Sequence, residues 1–212
     1  MADNYLENRY EEVFGNGSAK SHPKHTNTFD SIVAKNRSYR GYKKDYVVKP
    51  EMMERIVAVN TKIPSGRNQQ VLRFKIVTKD TGAEKVLRNI HLGGALPELH
   101  LPFEGTEPEA FVIICSTINE NKLVDIDLGI SMQTMLLKAV EMGLNGIIIC
   151  AFNKGEIKRE FSLTYEPLAI VAIGKGDEKI EIVSISESDS HAYYRKDGIH
   201  YVPKVKYSDL II

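Results

Sequence analysis

Tryptophan is absent from this 212-residue chain, and cysteine occurs only twice, at Cys115 and Cys150. Both thiols fall in apolar, strand-like runs, which predicts buried free cysteines rather than a disulfide; a lone pair at this spacing is no zinc framework. Net charge is missing as well: 28 Lys+Arg stand against 28 Asp+Glu. Without an overall field there is no electrostatic reason to expect nucleic acid or an acidic membrane as partner, so any anion site must be local. The longest apolar runs, such as residues 147–152, are far too short to span a bilayer. The N-terminal MADNYLENRYEEVFGNG is charged from the start and has no apolar h-region, so no signal peptide is expected and a cytoplasmic location fits.

The common enzyme templates are missing too. No GxGxxG follows a strand, and GNGSAK lies in a polar linker before any strand, so neither a dinucleotide fingerprint nor a P-loop is present. GxSxG and HExxH do not occur. The six histidines show no metal-ligand spacing apart from His22 and His25 in the linker, and no metal is expected.

What remains is an ordinary globular balance, 42% hydrophobic and 26% charged, in a chain long enough to bury a sizeable core. Residues 4–14 read as an amphipathic helix and 15–27 as a polar linker. Thr28 is placed to cap a helix with Phe29, Ile32 and Val33 on one face, and Pro50 with Glu51 opens another carrying Met53, Ile56, Val57 and Asn60. Pro64 stops it. Leu72, Phe74 and Ile76 alternate with Arg73 and Lys75 as a half-buried strand does. A short helix over 83–91 follows, then a strand at 111–115, a helix from about Asp127 to Met142, a strand at 147–150, a helix at 156–161 and a strand at 168–173. Strands apolar on consecutive residues ask for cover on both faces, which predicts a mixed α/β or α+β domain with a layered core. Asp197-Gly198 between aromatic segments predicts a two-residue hairpin. The apolar Leu210-Ile211-Ile212 is expected to seek a surface, the nearest large one being another subunit.

Three polar clusters stand out. Arg37-Ser-Tyr-Arg40 offers two guanidinium forks suited to phosphate or a delocalised anion, although cations also simply complement a helix C-terminus. PSGRNQQ, residues 64–70, has its turn explained by Pro64, Ser65 and Asn68, but not the arrival of Arg67, Gln69 and Gln70 with them. Lys204 and Lys206 would project together from an extended segment. Gln133, inside a helix otherwise apolar nearly all round, reads as a core glutamine satisfied by partners.

In order, these segments resemble the nitroreductase family of FMN-dependent oxidoreductases, from about Asp30 to the C-terminus. The RSYR at 37–40 looks like the family's R-S-x-R/K opening, and Pro64, Ser65, Asn68 and Gln70 match its P-S-x-x-N-x-Q loop. DLGISMQTMLLKAVEMGLNG is similar to its D-x-G-x-x-x-Q helix, IIICAF takes the place of its flavin-facing strand end, and Lys204-x-Lys206 corresponds to a basic pair near the C-terminus. The resemblance implies residues 1–29 as an N-terminal extension and 30–212 as one FMN-binding domain. Its fold would be three-layered, with a central, mostly antiparallel sheet flanked by helices and a C-terminal strand swapped onto the partner of a homodimer.

It further implies two FMN sites at the dimer interface. One chain would supply Arg37, Ser38, Arg40, the backbone from Ile148 through Cys150 and Ala151, and Lys204 with Lys206. The other would supply Pro64, Ser65, Gly66, Asn68 and Gln70. The implied activity is hydride transfer from NADH or NADPH through FMN to a small, flat acceptor, with no catalytic side chain; the alternative is a flavin-binding or sensing protein with little turnover. Asn36 replaces a further basic residue of many members, Val71-Leu72 follows the loop where an aromatic is common, and Cys150-Ala151 replaces a glycine-containing pair.

Overall fold

A computed structural model describes residues 28–94, 99 and 101–212. The helix expected over 4–14 and the linker over 15–27 lie outside the described residues.

Local signals near the start act as expected. Thr28 accepts the Ser31 N–H at 3.3 Å and caps helix α1, Phe29–Lys35. Pro50 is the first residue of α2, Pro50–Val57, whose Met53 and Ile56 are fully buried. A 3₁₀ turn over Ala58–Thr61 continues it, and Asn60 there donates to the Val57 carbonyl at 2.8 Å and accepts from the Ser131 hydroxyl at 2.6 Å. Strand β1, Leu72–Val77, follows with the alternating burial its sequence foretold. Helix α3 is shorter than expected, Ala83–Leu87.

The core is built on β2, Ala110–Ser116, every residue of which is buried, and on β4, Glu166–Gly174, buried beyond its first residue. With β3, Asn145–Ile149, they form an antiparallel sheet in the order β1-β2-β4-β3. One face carries Val112, Ile114 and Val171 against α2 and the long helix α4, Lys122–Glu141. The other carries Phe111, Ile113 and Ile170 with α3 and α5, Lys154–Glu160. This is the layered α+β arrangement that doubly covered strands require.

Helix α4 begins five residues before Asp127. Its cap is Asn121, whose side chain accepts the Leu123 N–H at 3.0 Å, an N-cap signal passed over in favour of the apolar run further on. Asp127 is therefore a buried carboxylate within the helix rather than its start.

A second sheet occupies the C-terminal part. β5, Lys179–Ile185, was not anticipated; it pairs in parallel with β7, Ile199–Val205, and β6, Tyr194–Lys196, pairs antiparallel with β7 on the other side. The β6–β7 turn is the expected hairpin, with Asp197 at φ 51° and Gly198 at φ 76°. β7 thus has both edges occupied within its own chain. Beyond Val205 the chain makes a 3₁₀ turn, Tyr207–Asp209, and ends with Leu210 64% and Ile211 62% exposed.

Candidate functional site

The RSYR segment is held against the edge of the central sheet. The Tyr39 N–H donates to the Gly146 carbonyl at 3.1 Å, and Ser38 bridges in parallel to Gly146 on β3. Gly146 must be glycine: a Cβ there would lie 2.4 Å from the Ala172 carbonyl oxygen and 2.6 Å from Leu136 Cδ2. The Tyr39 ring rests on Gly176, where a Cβ would fall 2.3 Å from it. These close approaches set residues 37–40 beside Ile148, which is 37% exposed.

The segment, β3, α4 and β7 enclose a cleft of about 270 Å³. Arg37, Ser38, Arg40, Ile148 and Lys204 line it, so five of the residues singled out from sequence meet in one place on one chain. Arg37 is partly spent: its guanidinium donates to the Val33 carbonyl at 2.6 Å and the Ala34 carbonyl at 3.0 Å, closing α1 as a C-terminal cation does. Burial lowers its pKa against the raising effect of Tyr39, and a guanidinium keeps its charge.

Arg40 is held from several directions. Its N–H donates to Glu178 Oε2 at 2.8 Å, one guanidinium nitrogen donates to the Ser38 carbonyl at 3.1 Å, and the guanidinium lies 5.2 Å from the centroid of Tyr193. The other Glu178 oxygen accepts from Arg195, which in turn lies over Phe103. Glu178 thus accepts from the Arg40 backbone and from the Arg195 guanidinium, and two guanidiniums around one buried carboxylate leave a net positive cluster. Arg40 Nε, Arg195 Nε and His200 Nδ1 are buried without a hydrogen-bond partner. Orphan donors beside a cleft lined by cations suit an anionic ligand carrying further polar groups.

Several lining residues were missed. Tyr193, Val202 and His200 come from the hairpin, and Ile180 from β5. The signal existed: His200, Val202 and Lys204 share one face of a strand at period two. The same period would have carried Lys206 along, but the strand ends at Val205. Lys206 Nζ instead meets Ser186 Oγ at 3.1 Å and Asp209 at 3.5 Å, and it does not line the cleft. Gln133 is a correction. It is exposed rather than a core residue, accepts the Asn36 side-chain N–H at 3.1 Å and lines the cleft, because it falls on the one stretch of α4 not covered by the sheet.

Cys150 is a second correction. β3 ends at Ile149 and the chain leaves the sheet to reach Asn153, the cap of α5, so Cys150 and Ala151 are exposed at the strand's mouth. Cys115 is buried as expected, and burial, with Glu166 behind it, pushes its thiol up to about 11.

Residues 64–70 lie elsewhere. The Gly66 N–H donates to Asp127 Oδ1 at 2.7 Å, Ser65 Oγ accepts the Gln70 N–H at 3.1 Å, and the Gln70 amide donates to Asn68 Oδ1 at 3.1 Å. Arg67, Asn68 and Gln70 have φ of 52°, 54° and 50°, three left-handed non-glycine residues in four positions. Pro64, Ser65 and Gln70 line a different cleft, of about 330 Å³, next to β1. Asn36, just before the RSYR segment, is tied to α4 through Gln133, and this loop through Asp127. Those anchors are six positions apart on the helix, about 9 Å along the axis and about 120° round it. Within one chain the two groups sit on different faces of α4.

Among the described residues no cluster of His, Cys, Asp and Glu could hold a metal, and no helix is long and apolar enough to cross a membrane.

An antiparallel sheet between helical layers, with a basic cleft at its edge, defines an α+β fold with one candidate ligand site at the sheet's edge. Comparison narrows this. The nitroreductase family model matches residues 103–175. Among solved structures, a nitroreductase family protein of Clostridium difficile 630 is 25% identical, covering 69% of this chain and 83% of its own, at TM-score 0.56. One from Streptococcus pneumoniae TIGR4 is 15% identical over 73% and 93%, at 0.59. A variant of the FMN and NADPH-dependent nitroreductase from sphigopyxis sp. strain HMH is 18% identical over 71% and 88%, at 0.57. No curated protein matches the chain. The chain therefore has the nitroreductase fold, and the nitroreductase family model matches it over residues 103–175, the stretch that holds DLGISMQTMLLKAVEMGLNG and IIICAF.

Proposed function

We propose that this protein is an FMN-dependent oxidoreductase that works as a homodimer. The observation that carries the reading is the cleft in which Arg37, Ser38, Arg40, Ile148 and Lys204 converge beside buried, unpartnered donors. When bound, FMN would supply the redox chemistry, with NADH or NADPH as hydride donor and a small, flat molecule such as a nitro compound or a quinone as acceptor.

The chain's own residues bind, orient and tune. Lys204 pairs with no carboxylate among the described residues and is free to hold a phosphate, with Arg37 adding charge from the end of α1. Arg40, fixed by Glu178 and Tyr193, would offer a cation to a ligand that gains negative charge on reduction. Ile148 offers an apolar seat, and the exposed Cys150 and Ala151 offer backbone at its rim. Lys206 belongs to this set only if its contacts to Ser186 and Asp209 are exchanged for a ligand.

The partner's Pro64–Gln70 loop completes the site in this reading. Support comes from the exposed Arg67, Asn68, Gln69 and Gln70, none of which lines the cleft beside the RSYR segment of its own chain, and from the exposed apolar Phe29, Leu210 and Ile211. Because β7 is paired at home, the exchanged element is the segment after Val205. The family relative that depends on FMN and NADPH makes the cofactor pair a natural choice. A yellow, dimeric protein with one FMN per chain, bleached by NADH or NADPH under anaerobic conditions, is the expected result. Uptake of FMN without bleaching would leave only a flavin-binding protein, and a colourless protein that takes up no FMN ends the reading.

A further inference from the structure

His200 belongs to none of the motifs behind the functional reading, yet it occupies a place that a packing residue would not need. It sits on β7, 2% exposed, opposite Arg195 on β6, and it lines the cleft with Val202 and Lys204. Its ring meets the Tyr193 ring edge-on at 5.1 Å, and Tyr193 carries Arg40 on its face at 5.2 Å. Nδ1 is buried without a hydrogen bond. A buried polar atom left unpaired forfeits its hydration for nothing, and a phenylalanine would pack against Tyr193 without that loss. An imidazole here implies a partner that the folded chain does not provide.

The charge state narrows that partner. Burial lowers the pKa of His200, and Arg195 and Arg40 lower it further against a weaker opposite pull from Glu178, so the ring is neutral near pH 7. A neutral imidazole complements a hydroxyl, carbonyl or N–H group rather than a phosphate. Position agrees. Lys204 lies four residues along the same strand face, about 13 Å away at extended spacing. His200 instead shares Tyr193 with Arg40, so it serves the end of the cleft remote from Lys204.

We propose that His200 is a ligand-binding residue of this cleft, hydrogen-bonding a neutral polar group on the non-phosphate part of the flavin. The proposal rests on the FMN reading above and deepens it. The chain then divides recognition along one strand, with Lys204 reading the phosphate and His200 reading the part that riboflavin and FMN share.

Flavin titrations of the apoprotein, followed by fluorescence quenching, separate these roles. His200→Phe is expected to weaken FMN and riboflavin by the same factor, tenfold or more. His200→Gln, which restores a hydrogen-bonding group, should stay within about threefold of the native chain. Lys204→Met should weaken FMN alone, bringing it towards riboflavin. Equal affinities for His200→Phe and the native chain, or equal losses in the Phe and Gln variants, would overturn the proposal while FMN binding stands. Failure of the native chain to bind either flavin removes the functional reading and this inference together. Should His200→Phe not fold, ¹⁵N-histidine spectra of the native chain decide: a ring-nitrogen resonance displaced by riboflavin supports the contact, and unmoved resonances refute it.

Discussion

The two polar segments that flank α4 make opposite uses of similar residues. Residues 37–40 turn their cations inward: Arg37 closes α1, Arg40 is gripped by Glu178 and Tyr193, and the backbone is fastened to β3 at Gly146. Residues 64–70 turn theirs outward, with Arg67, Asn68, Gln69 and Gln70 exposed and three of those four in the left-handed region. The first is a finished wall of a cleft. The second is a rigid, strained edge whose inward bonds serve only to hold its shape. In the proposed dimer that strain is retained because the loop's outward shape serves the partner's site.

The comparison is broken most severely at Gly146. Gly146→Val would drive side-chain atoms into the Ala172 carbonyl, which is backbone in the central sheet and cannot give way. Overpacking of this kind costs about 3 kcal/mol or more. Urea denaturation should show that loss, and flavin binding should go with it because the RSYR segment loses its seat. A variant as stable as the native chain would mean the segment is held by something other than β3.

How much of this contrast the sequence discloses follows from the range of the forces involved. The Thr28 cap, the Pro50 start, the alternation in β1 and the Asp197-Gly198 hairpin are local, and each was legible. Arg37, Ser38, Arg40, Ile148 and Lys204 were picked out by residue type and order, and they do converge. The residues that fasten Arg40 were not legible, since Glu178 and Tyr193 reach it across more than a hundred residues and carry no local signature. β5 escaped for a related reason: its alternation is present in KIEIVSI, but its partner β7 lies twenty residues further on. Cys150 and Gln133 are exposed despite apolar neighbours in sequence, because the strand stops one residue early and the helix has one uncovered strip.

A smaller effect is expected at Asp127, where the second segment is anchored. Asp127→Ala removes the acceptor of the Gly66 N–H and should cost about 2 kcal/mol, the usual penalty for leaving a part-buried donor unpaired. The distinguishing readout is local. Amide exchange at Gly66 and its neighbours should quicken strongly, while amides of residues 37–40 exchange as before. If both segments loosen together, α4 couples them and the division drawn between them is wrong.

The finest test acts on the strain itself. Arg67 has φ 52°, and among the described residues its side chain makes no hydrogen bond or ion pair, so Arg67→Gly removes little but the left-handed penalty. The chain should gain about 1 kcal/mol in urea denaturation, since an L-residue in that region is disfavoured by roughly this amount. In a monomer that would be the whole effect. If the loop edges a partner's ligand, the glycine variant gains stability yet binds FMN more weakly and dimerises less readily, because a freer loop must be ordered on assembly. Stability gained with unchanged FMN affinity would show that the strain serves no ligand, and the outward-facing amides would then be an ordinary solvated turn.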